Sequence, residues 1–88
     1  MLESSVEGDT VEYAEDRGWV SIKLNGQGNA GKPDRLFLNE GARIIFVEFK
    51  KPGKGPRKLQ AWWRKILRKM GFPHYIIDTV EQGKALFK

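Results

Sequence analysis

The apolar positions begin with a helical period. Val6, Val11 and Ala14 fall on one side of a 3.6-residue repeat, with Ser4 or Ser5 available as N-cap and Gly18 as the stop after Arg17. Trp19 to Leu24, WVSIKL, switches to alternation and predicts a strand. Asn25 to Gly31, NGQGNAG, predicts a loop. Arg35 to Leu38 and Arg43 to Lys50 then predict a hairpin turning at Asn39-Glu40-Gly41. Lys51 to Pro56, KPGKGP, is a second loop, and Pro56 suits the first turn of a helix over Arg57 to Met70 that stops at Gly71. His74 to Ile77 predicts a last strand. Asp78 and Thr79 each precede Glu81 or Gln82 by three residues, a capping-box spacing that opens a helix to about Phe87. The order α-β-β-β-α-β-α, without internal repeats, predicts one minimal mixed α/β domain over residues 1–88.

The hairpin is interrupted by charge at Asp34, Glu48 and Lys50. Residues two apart on a strand share a face, so Glu48 and Lys50 project with Ile44 and Phe46. A hairpin symmetric about Gly41 sets Asp34 opposite Glu48, whereas a slip of one residue separates them. Like charges directly across a ladder repel. A divalent cation reverses that sign, and hard carboxylate oxygens suit Mg²⁺ or Mn²⁺. Glu7 lies on the apolar side of the first helix, as a further ligand or as a helix-start carboxylate favoured by the macrodipole. Glu3 sits one turn earlier, while Asp9, Glu12 and Asp16 fit a solvated face.

Composition narrows the chemistry. Eighty-eight residues support one modest core, and dimerisation would add buried surface. The absence of cysteine excludes disulfides and thiol chemistry, and a single histidine excludes the Ser-His and two-His templates. His74 is expected to pack within an apolar strand. No apolar run is long enough to span a bilayer. The opening MLESSVEGDT has neither a basic start nor an apolar run, so the expected location is cytoplasmic. The net charge of +5 is unevenly spread. Residues 1–42 carry four Lys/Arg against eight Asp/Glu, and residues 43–88 carry twelve against three. That asymmetry suits a polyanionic partner for the second half.

Pro33-Asp34, Glu48-Phe49-Lys50 and Gln60 give the pattern an identity by likeness. In this arrangement the chain resembles a stand-alone VRR-NUC domain, of the PD-(D/E)xK nuclease superfamily, from about Ser4 to Phe87. The resemblance implies a restriction-endonuclease-like fold and a Mg²⁺- or Mn²⁺-dependent phosphodiesterase. It implies that Asp34, Glu48 and the Phe49 backbone carbonyl hold the metal, with Glu7 completing the set. Lys50 would orient or deprotonate the attacking water, and Gln60 would position Lys50 or that water.

With that substrate class, the basic surface reads as a DNA-backbone track, against the plain alternative of a solvated face. Its candidates are Lys23, Lys32, Arg35, Lys51, Lys54, Arg57, Lys58, Arg64, Lys65 and Arg68. Leu59, Trp62, Trp63, Ile66 and Met70 form the apolar stripe of the same helix, expected as core or dimer interface, with Trp63 the candidate for base stacking. The glycine loop lacks the GKS or GKT ending of a P-loop, so no nucleotide cofactor is expected. Small members of the family resemble Holliday-junction resolvases, which implies a homodimer on branched DNA, of bacteriophage type and acting in the host cytosol. The rival readings are a flap, nick or single-strand nuclease and a catalytically silent DNA-binding module.

Overall fold

A computed structural model describes residues 3–24, 31–50 and 58–88, with the side chains described from Ser5 onward. The elements follow the expected order: α1 (Glu3–Glu15), β1 (Val20–Lys23), β2 (Arg35–Leu38), β3 (Ile44–Phe49), α2 (Lys58–Lys69), β4 (His74–Ile77) and α3 (Val80–Ala85). The four strands form one sheet in the order β1-β2-β3-β4. The first three make an antiparallel meander, and β4 joins β3 in parallel after the α2 crossover. This is the mixed sheet expected from the sequence.

Glycine ends both long helices. Gly18 and Gly71 adopt φ of 85° and 94°, left-handed values that a residue bearing a Cβ adopts at a cost. At the first, Trp19 N–H donates to Ala14 O and Gly18 N–H to Glu15 O; at the second, Phe72 N–H donates to Leu67 O and Gly71 N–H to Arg68 O. Both are Schellman ends, which satisfy carbonyls that the last helical turn leaves open. The first turns the chain so that Trp19 is buried against the core. α3 is opened by Thr79, whose hydroxyl accepts from Gln82 N–H while Gln82 Oε1 accepts from the Thr79 N–H. Of the two candidate caps, Thr79 is therefore the one used.

α1 and α3 cover one face of the sheet. Val6, Ala14, Trp19, Phe37, Ile45, Val47, Phe49, Ile77 and Phe87 form the core there. Phe87 joins its parts, with its ring 5.2 Å from Trp19 and 4.8 Å from Phe37 between centroids. α2 lies on the other face, toward β4. Val20 and Ile22 on edge strand β1 remain exposed, as do Leu59, Trp62 and Met70 of α2. Of the expected apolar stripe of α2, Trp63 and Ile66 are half-buried and none is fully core; the buried residue of the helix is Leu67, which lay outside that stripe.

Candidate active site

The hairpin register decides the site. Arg35 pairs with Val47, Leu36 with Phe46, Phe37 with Ile45 and Leu38 with Ile44. This is the register symmetric about Gly41, and continuing it sets Asp34 at the level of Glu48. The turn itself uses a different residue than its glycine suggests. Ala42 carries the positive φ, 60°, while Asn39 Oδ1 accepts from the N–H groups of Gly41 and Arg43. Beyond the strand ends, Asp34 N–H donates to Val47 O, and Asp34 Oδ2 accepts from Phe49 N–H at 2.7 Å. The aspartate side chain thereby continues the ladder past Arg35 and is fixed beside the Glu48-Phe49 peptide.

Strand alternation places the remaining groups. Val47 and Phe49 enter the core under α1 and α3, so Glu48 turns to the α2 face. Glu48 is only 4% exposed. Its Oε2 accepts from Gln60 Nε2 at 2.9 Å and lies 3.2 Å from Lys50 Nζ. A carboxylate so buried needs charged or hydrogen-bonding partners, and these two supply them. Gln60, expected to position Lys50 or a water, donates to Glu48, the carboxylate that also pairs with Lys50. Gly31 and Lys32 pack against α2 beside this point. Gly31, at φ 75°, lies so close to Leu59 that a Cβ would collide with it, and Lys32 Nζ stands 5.9 Å from the Trp63 ring centroid.

Asp34, Glu48, Lys50 and Gln60 are therefore brought together. Glu7 is placed elsewhere: its Oε2 accepts from Arg35 Nε at 2.6 Å, and Arg35 Nη1 donates to Ser21 Oγ at 2.7 Å. Arg35 shares the α1 face with Phe37, opposite to the face of Glu48. Among the described residues no three Asp, Glu, His or Cys side chains are grouped to hold one ion. The donor set at the hairpin end is two carboxylates with the Phe49 peptide between them. It fits Mg²⁺ or Mn²⁺, which take one or two carboxylates and fill the remaining positions with water and phosphate oxygens.

The basic candidates divide in the same way. Lys23, Lys32, Lys58, Arg64, Lys65 and Arg68 are exposed. Arg68 also donates to His74 O at 3.1 Å, which ties α2 to β4. Arg35 is committed inward to Glu7 and Ser21 rather than displayed to a ligand. Its alternation with buried Phe37 was the sequence signal for that placement. Lys51, Lys54 and Arg57 lie outside the described residues. His74 packs as expected, 2% exposed under α2, and burial together with the charges of Arg64 and Arg68 lowers its pKa to about 4, against a weaker raising effect from a backbone hydrogen bond.

No family model matches the sequence. A phage protein named "Putative nuclease p44", from Acyrthosiphon pisum secondary endosymbiont phage 1, is 31% identical over 86 residues, covering 98% of this chain and 92% of that protein. A solved structure described as a VRR_NUC domain superposes with a TM-score of 0.86 at 28% identity, over 96% of this chain and 91% of the other. Both likenesses run over nearly the whole of each chain rather than a local stretch, and on that ground the chain belongs to the VRR-NUC family.

Proposed function

We propose that this protein is a Mg²⁺- or Mn²⁺-dependent DNA endonuclease that hydrolyses phosphodiester bonds, acting on branched DNA such as a four-way junction as a homodimer. The observation that carries the reading is Glu48: a buried carboxylate opposite Asp34, held by Lys50 and Gln60 on a single oxygen. A binding surface for phosphate has no use for two clustered acids, because each repels the polyanion. A hydrolytic site does, and Asp34, Glu48 and the Phe49 carbonyl are the groups that would hold the ion. A divalent ion there would make its water more acidic and offset charge on the phosphoryl oxygens. Lys50, fixed by its ion pair, would orient the attacking water and balance charge gathering at phosphorus. Gln60 holds Glu48 in the orientation that serves both. Lys32, Lys58, Arg64, Lys65 and Arg68 would follow the phosphate backbone, joined by Lys51, Lys54 and Arg57.

Exposed Val20, Ile22, Leu59, Trp62 and Met70 support association with a second copy, whose two-fold axis would match that of a four-way junction. Among the described residues no helix is long and apolar enough to cross a membrane. A phage relative supports action in the host cytosol.

The test is cleavage by the purified chain of four-way junction, flap, nicked, linear and single-stranded DNA, with and without Mg²⁺ or Mn²⁺. Metal-dependent cutting of the junction, lost in Asp34→Ala and Glu48→Ala with DNA binding retained, is the expected result. Preference for flaps or single strands would redirect the substrate. Binding without any cutting would leave a DNA-binding module.

A further inference from the structure

Two of the exposed apolar residues lie beside the carboxylate site rather than on the edge strand. Leu59 and Trp62 are 46% and 50% exposed, one turn apart on α2, and with Lys58 they line an open groove of about 390 Å³. Trp63, the ring that the sequence favours for stacking, is half-buried: it meets Trp62 at 5.2 Å between centroids, edge to face, with Lys32 Nζ 5.9 Å from its own centroid. Trp62 is therefore the displayed ring, and Trp63 braces it. The groove is joined to the site at two points. Gly31, shortly before Asp34 in the chain, packs against Leu59, and Gln60, next to Leu59, donates to Glu48. Gln60 and Trp62 project from roughly opposite sides of the helix, so about one helix width, ~10 Å, separates the groove from the carboxylates. Charge narrows the occupant. Lys58 and Lys65 flank Trp62 one turn before and one turn after it, and α2, KLQAWWRKILRK, carries no acid. A second copy seated here by two-fold symmetry would bring the same lysines against each other. A nucleic-acid strand instead offers an apolar ring between two phosphates. Paired bases keep their rings inside the stack, so that ring belongs to an unpaired nucleotide.

We propose that Trp62, with Leu59, is a stacking platform for an unpaired nucleobase of the DNA, and that Lys58 and Lys65 hold the phosphates on either side of that base. The proposal rests on the reading that DNA is the substrate, and it sharpens that reading. Nucleotides left unpaired near the cut, as at an opened branch point, become the feature that the protein selects. Trp62 touches substrate in this role but takes no part in the hydrolysis. Every base has a π-face, so the platform is indifferent to sequence. Val20 and Ile22 of β1 are left for a second copy.

The experiment measures binding by the full chain, in EDTA so that nothing is cut, of an oligo-dT strand, the same strand with abasic sites, and a blunt, fully paired duplex. Trp62→Ala should weaken the oligo-dT strand about 5- to 150-fold, the range for one aromatic platform, and the duplex by less than about twofold. Wild type should bind the abasic strand as weakly as Trp62→Ala binds oligo-dT. Trp62→Phe, which keeps a π-face, should stay within about threefold of wild type, whereas Trp62→Leu, which keeps only apolar volume, should fall with alanine. Thermal melts and sedimentation of Trp62→Ala should match wild type in folding and mass. Equal weakening on strand and duplex, indifference to abasic sites, or no binding of oligo-dT by wild type would overturn the proposal. So would a smaller mass for Trp62→Ala, which would assign the groove to a second copy. A chain that cuts no DNA, yet loses oligo-dT binding in Trp62→Ala, keeps the platform and loses the nuclease reading. One that cuts DNA, with Trp62→Ala unchanged on oligo-dT, keeps the nuclease reading and loses the platform.

Discussion

Buried His74 makes the stability of this fold depend on pH in a way that can be worked out in advance. The ring is 2% exposed beneath α2, its Nδ1 has no hydrogen-bond partner among the described residues, and Arg64 and Arg68 add repulsion to the protonated form. Its pKa falls from 6.5 to about 4. The folded state therefore binds fewer protons than the unfolded chain between those two values, and stability rises with pH through that window. The contribution is complete above pH 6.5, drains away as the pH falls, and is gone below about 4. The interval corresponds to about 3 kcal/mol, set against a total of about 4–13 kcal/mol for a domain of this length. Carboxylates titrate in the same range, so the measurement has to be differential. Urea unfolding of wild type and His74→Leu at several pH values from 7 to 4 cancels them. Wild type should lose about 3 kcal/mol relative to the leucine variant over that span. Two parallel pH curves would refute the reasoning, since they would mean that the ring charges in the folded state as readily as in the unfolded one.

Gly83→Ala should destabilise by about 1–3 kcal/mol, because the added Cβ enters the space of the buried Thr10 side chain, and Thr10→Ala in the same chain should recover part of the loss in thermal unfolding. Gln60→Ala removes the donor to Glu48 Oε2 and should lower junction cleavage about 10- to 100-fold with unchanged DNA affinity, read by single-turnover kinetics beside a binding titration. Thr79→Ala deletes the hydroxyl of the α3 capping box and should cost about 1 kcal/mol in denaturant unfolding. If Lys58 and Lys65 each meet one phosphate, their joint replacement by Gln should weaken binding of all DNA forms alike and reduce the salt slope by about 2.

What could be read without coordinates depended on whether a signal was local. The helix stops at Gly18 and Gly71 and the cap at Thr79 were legible because a few neighbouring residues determine each. The hairpin register was legible only as a choice between the pairing symmetric about Gly41 and a one-residue slip, and the pairing found is the one that buries Phe37, Ile45 and Val47 together. The turn conformation was less so, since the Asn39 side chain holds the loop and leaves Ala42, not Gly41, with the positive φ. Contacts between elements distant in sequence escaped most. Gln60 could be assigned to the site, but not its bond to Glu48. Arg35 looked like one more cation for DNA, although its place two residues before Phe37 on β2 already turned it inward.

These two partnerships show how one short hairpin meets opposed electrostatic demands. At the hairpin end, two like charges sit at one level of the ladder, an arrangement that costs stability by itself. Glu48 is offset on one face by Lys50 and Gln60, and Asp34 is fixed by the Phe49 N–H. On the other face Arg35, next to Asp34 in the chain, pairs its positive charge with Glu7 and donates to Ser21 Oγ. Glu48 is neutralised by Lys50 at the end of its own strand and takes a hydrogen bond from Gln60 of α2, while Arg35 is neutralised by Glu7 of α1. The same contacts bind both helices to the sheet, so a change that reorients either helix also changes the charge balance at the carboxylates. In so small a domain, holding the fold together and setting the electrostatics of the site are done by the same few side chains.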